Sequence, residues 1–148
     1  MQHPRRGTHS NARADISLAG AHAAIAAAID AAAQLELSVC IAVCDSGGNP
    51  VASARMDGAP ILSLEIAVNK AWTVTQFNGM PTSQWWPLIE GEPSLVHGIT
   101  HTPRLVVFAG GEPVHIGGLV AGAVGVSGGS ADQDAMVASA AAAAVLQT

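Results

Sequence analysis

The chain has 148 residues, 49% of them hydrophobic and only 11% charged. Soluble domains average roughly 25% charged residues, so this composition excludes an intrinsically disordered chain, and the length suits one domain. Six Lys and Arg against eleven Asp and Glu give a net charge of -5, which leaves no cationic surface for a nucleic acid.

Arg5, Arg6 and Arg13 lie near the start of the chain. Arg5-Arg6 resembles a twin-arginine signal, but polar Gly7-Thr8-His9-Ser10-Asn11 follows where an apolar stretch is required. Residues 1–14 therefore read as a disordered basic arm and residues 15–148 as a single domain. No run has the bulky apolar character of a membrane span, so a cytoplasmic protein is expected, with no membrane partner.

From Ser17, a helix N-cap, to about Leu35 the pattern is helical. Leu18, His22, Ile25, Ile29 and Ala32 recur at steps of four and three, which marks one face. Residues 38–44 read as a strand. Cys40 and Cys44 point to one face of it, about 13 Å apart at ~3.3 Å per residue. That exceeds the roughly 7 Å limit for a disulfide, so they read as reduced core thiols. Asp45-Ser46-Gly47-Gly48-Asn49 turns the chain into a second strand, Pro50 to Arg55.

After Asp57-Gly58-Ala59-Pro60 a second helix is expected from about Ile61 to Phe77, and a short turn capped by Thr82 through Trp86. Leu88 to Pro103, rich in Gly and Pro, reads mostly as loop. Arg104 to Ala109, Pro113 to Ile116 and Leu119 to Val126 read as strands. The last helix opens at Ser130-x-x-Gln133, a capping box with Asp132 and Asp134 in its first turn, and runs to about Leu146. Strands joined by tight turns predict an antiparallel sheet and an α+β fold. Alanine supplies much of the apolar content and buries little area per residue, so a homo-oligomer is expected to add burial.

Few side chains suggest chemistry. Lys70 is the single lysine, on a partly apolar helix face with Ser63, Ala67 and Thr73. It reads as a carboxylate anchor or, with a pKa lowered by burial, a base. A plain lysine paired with Asp57 or Glu65 is the structural alternative. Arg55-Met56-Asp57-Gly58 places a cation and a carboxylate ahead of that helix. The glycine-rich bend containing Gly125, Ser127 and Gly128 leads into the last helix, where free N–H groups favour an anion. The candidate catalytic residues are therefore Lys70, Asp57 and Glu65. Arg55, Met56, Ser63, Thr73, Gly125, Ser127 and Gly128 are the candidate ligand-binding residues. His22, on the first helix, is either a core histidine or an iron ligand. His97, His101 and His115 lie in loops or a short strand. Trp72, Trp85 and Trp86 are candidates to wall an apolar pocket or an interface.

Three stretches together resemble the GlcG/HbpS family of small haem-binding proteins, also called DUF336. They are Ile41 to Pro50; Arg55-Met56-Asp57-Gly58-Ala59 with Ser63, Ala67, Lys70, Thr73 and Met80-Pro81-Thr82; and Gly110-Gly111-Glu112-Pro113 through Gly122–Ser130 to Gln133-Asp134. Gln84-Trp85-Trp86, Glu112 and Gly117-Gly118 depart from the family pattern. The resemblance implies an antiparallel, roughly five-stranded sheet flanked by helices and assembled as dimers or larger rings. Some members of that family bind haem, and one reading of this chain is haem or tetrapyrrole binding, with Met56, Ile66, Phe77 and the tryptophans as pocket walls and a histidine on the iron, although the resemblance carries over no ligand residue. The alternative is a cofactor-free isomerase or lyase for a small oxygenated acid. Lys70 and Asp57 would then transfer protons and the glycine bend would hold the acid's anion.

Overall fold

The computed structural model describes residues 9–145. Residues 1–8 of the arm expected at 1–14, and the expected helix end at Leu146, lie outside them; within the rest of that arm the Arg13 guanidinium donates to the Ser46 hydroxyl. In order, the elements are α1 (Leu18–Gln34), β1 (Cys40–Asp45), β2 (Pro50–Arg55), α2 (Leu62–Gln76), α3 (Trp85–Ile89), α4 (Pro93–Gly98), β3 (Gly111–Ile116), β4 (Leu119–Ser127) and α5 (Ala131–Ala143). Single 3₁₀ turns at Thr82–Gln84 and Ile99–His101 precede α3 and follow α4.

The four strands form one antiparallel sheet in the order β2-β1-β4-β3. Strand alternation divides the core between its two faces. Val39, Ile41 and Val43 point with Val124 and Val126 toward alanines of α1 and α5. Cys40 and Ala42 meet Ala67, and Cys44 and Ala123 meet Ala71 and Val74, on the α2 side. The fold is thus α+β in three layers, with α1 and α5 on one face and α2 on the other. No helix of the described residues is long and apolar enough to cross a membrane.

Three expectations are corrected. Arg104 to Ala109 is not a strand, so the sheet has four strands rather than about five. The Thr73 hydroxyl on α2 donates to the Arg104 carbonyl (3.3 Å) and accepts from the Val106 N–H (3.1 Å), which fastens this segment to a helix instead of a sheet edge. Leu88 to Pro103 is mostly short helix, started by Pro93 in the first turn of α4 and too brief to show periodicity. On α1 the buried side is Ala21, Ala24, Ile25, Ala28 and Ala32, while Leu18 and Ile29 are 54% and 37% exposed. The small alanines let α1 approach α5 and the sheet closely, so the bulkier side chains are left at the margin.

Candidate functional site

Lys70 points from α2 past the start of β3 and is 1% exposed. Its ammonium donates to the Val126 carbonyl at 2.8 Å and to Asp134 Oδ2 on α5 at 3.1 Å, with the Phe108 ring centroid 5.0 Å away. A lysine this deep has to be paired, because an isolated buried charge is very costly. Burial draws its pKa below the ordinary lysine value, opposed by the charge of Asp134 and the hydrogen bond to it. Gly110, at φ +126°, makes room for it: a Cβ there would stand 2.5 Å from the ammonium and 2.6 Å from the Val126 carbonyl oxygen.

The glycine bend is filled by the protein itself. The Gly129 N–H donates to Asp134 Oδ1 (2.8 Å) and the Ser130 N–H to Gln133 Oε1 (3.0 Å), while the Ser130 hydroxyl accepts from the Gln133 N–H (3.2 Å). The anion favoured at this helix start is thus the Asp134 carboxylate, held between an N–H and the Lys70 ammonium. Gly125 and Gly128 serve close packing. A Cβ on Gly125 would run into the Ala67 carbonyl of α2, and one on Gly128 would lie 2.9 Å from the Ser38 carbonyl oxygen. Ser127 is buried beside them.

The remaining candidates are dispersed. Asp57 and Glu65 are exposed, and the carboxylate that meets Lys70 is that of Asp134. Arg55 is exposed at the end of edge strand β2. Met56 packs against the α1–α5 core, its sulfur accepting from the Val39 N–H at 3.5 Å. Ser63 is buried in the first turn of α2, and Thr73 holds the 104–106 backbone. His97, His101 and His115 are exposed. Among the described residues, no three His, Cys, Asp or Glu side chains gather to hold a metal ion. Cys44 is buried and its thiol is pushed up to about 11 by desolvation. Burial also raises Glu112 on β3, opposed by the Ser139 hydroxyl.

His22 is not a core residue. It stands exposed on the outer face of α1, in line with Leu18, Ala26, Ile29 and Ala33. The expected single pocket made of tryptophans, Met56, Ile66, Phe77 and a histidine does not form. Trp72, Phe77 and Trp85 do wall a solvent-open pocket of about 260 Å³ on the α2 side of the sheet, with Ile99, Thr102 and Leu105 also lining it. Met56 and His22 belong to the opposite side, and Trp86 is 51% exposed. The Phe77 and Trp85 ring centroids lie 4.6 Å apart, and the Trp85 indole N–H is buried without an acceptor among the described residues. Asp134 was visible in the sequence as a first-turn charge of α5 and the end of a family-like stretch, but not as the partner of Lys70. Its pairing with a lysine 64 residues away leaves no local signal.

A sequence profile described as "Haem degrading protein HbpS-like" matches residues 16–143. The chain belongs to the HbpS-like family. An uncharacterised 15.0 kDa protein from the dhaT–dhaS intergenic region of Citrobacter freundii is 38% identical over 127 residues, covering 84% of this chain and 88% of that one. The HbpS-like fold superposes on the Klebsiella pneumoniae DUF336 protein ORFY with a TM-score of 0.84 and 32% identity, over 95% of this chain and 97% of that one. It also superposes on PduOC crystallised with haem, with a TM-score of 0.80 and 30% identity, over 88% and 95%. The HbpS-like chain spans 37% of the length of the corrinoid adenosyltransferase PduO of Salmonella typhimurium, to which it is 31% identical.

Proposed function

We propose that this chain is a small-molecule-binding protein whose ligand is haem or a related tetrapyrrole, held through His22. The observation that carries this reading is the surface of α1. Its seventeen residues contain one charged side chain, Asp30, and the exposed imidazole of His22 stands among Leu18, Ile29 and alanines. Small side chains around an imidazole let a flat macrocycle lie close to a helix, and imidazole suits haem iron. Leu18 and Ile29 would pack against the ring, and the bound iron would supply redox or ligand-exchange chemistry. The haem-bound relative PduOC supports the reading.

No specific observation favours the acid–base alternative. Lys70 is committed to Val126 and Asp134, and Asp57 and Glu65 lie exposed elsewhere. Assembly as a homo-oligomer is part of the proposal, since the exposed apolar side chains of Ile61, Leu62 and Met136, outside α1, suit burial against a second copy. The unpaired, buried Cys40 and Cys44 fit a reducing compartment and support a cytoplasmic location.

Titration of the full chain with haemin, followed at the Soret band, tests the ligand. Saturation at one haem per chain is expected, with His22→Ala shifting or abolishing the band while the thermal melt stays unchanged. A flat titration, or an unaltered spectrum in His22→Ala, overturns the assignment.

A further inference from the structure

We propose that the tryptophan-walled pocket beside α2 is a second binding site, for a small planar aromatic carboxylate. Its volume of about 260 Å³ exceeds the ~150 Å³ apolar cavity that admits benzene. It falls below the roughly 300–1,000 Å³ of sites for larger ligands, so it suits one or two fused rings and not a tetrapyrrole. The walls Trp72, Phe77 and Trp85 offer faces and edges to a flat ring.

One polar feature beside the pocket sets the ligand's chemistry. Arg104 lies between the lining residues Thr102 and Leu105, its guanidinium 4.5 Å from the Trp72 ring centroid and its Nε donating to Asn69 Oδ1 at 3.2 Å. Its backbone is left-handed, at φ +67°, a conformation uncommon outside glycine that clusters at functional sites. In a chain of net charge -5, this puts a fixed cation beside an aromatic pocket. The site lies on the opposite side of the sheet from His22, so the inference is independent of the haem reading.

Calorimetric titration of the full chain with 2-naphthoate, 2-naphthamide and cyclohexanecarboxylate tests it. Saturable binding of 2-naphthoate at one site is expected, with weaker binding of the neutral amide and of the non-aromatic acid. Arg104→Met should weaken 2-naphthoate and leave 2-naphthamide unchanged. Thr102→Trp, at an exposed lining position, should block all binding while the circular dichroism spectrum is kept. The proposal is overturned if 2-naphthoate fails to saturate wild type at millimolar concentration, or if Thr102→Trp binds it as wild type does. Equal binding of acid and amide that ignores Arg104→Met overturns the carboxylate assignment. Haem titration in the presence of 2-naphthoate should be unchanged, so failure of one site is readable apart from the other.

Discussion

Lys70 and Asp134 hold opposite charges in a setting that has excluded water, and each depends on the other. Replacing Lys70 by Met leaves the Asp134 carboxylate buried with only the Gly129 N–H, which should cost about 3–5 kcal/mol in urea unfolding. The double variant Lys70→Met with Asp134→Leu should recover part of that loss, because no lone charge remains. A double variant as unstable as the sum of the singles would show that the two groups are not coupled. The sign of the pH dependence follows from burial. The folded lysine gives up its proton at lower pH than the unfolded chain does. Its contribution to stability therefore rises with pH through the alkaline range, up to the ordinary value of 10.5. The lone lysine stood out in the sequence as unusual. Its partner did not, since Asp57 and Glu65 were nearer along the chain, and only the folded sheet brings α5 to α2.

Elements were legible where they ended in strong local chemistry. The Ser130–Gln133 capping box is present as read, and the bounds of α1, α2, β2 and β4 fall within about one residue of those expected from capping, glycine and proline signals. Legibility failed where packing overrode pattern. Alanine rather than bulk chose the buried side of α1, and a threonine on α2 captured the backbone that would have become a fifth strand. Gly125 carries the same lesson for helix–sheet contact. It was read as part of an anion-binding bend, and it instead sets how closely α2 lies on β4. Gly125→Ala drives a methyl into the Ala67 carbonyl, with backbone on both sides unable to yield. A loss of at least 1–3 kcal/mol is expected, measured by thermal melting. An unchanged melt would mean that the layers can separate at little cost.

Across the whole molecule, large apolar side chains remain in contact with water. Ile61 is 78% exposed, Leu62 66% and Met136 59%, and Leu18, Leu88 and Trp86 are each about half exposed. A single chain with an alanine-rich core has limited apolar area to bury, and association would recover some of this surface. Sedimentation velocity at micromolar concentration should give a mass that is a multiple of 14.8 kDa. A species of one chain would count against assembly. The sealed position of the sole lysine also gives a direct gauge of cooperative opening. An acylating reagent finds its only side-chain amine behind Gly110 and inside the Asp134 clasp, so modification at that residue should proceed only as fast as the layers part. Followed by mass spectrometry in rising urea, its rate would trace global unfolding from a single atom.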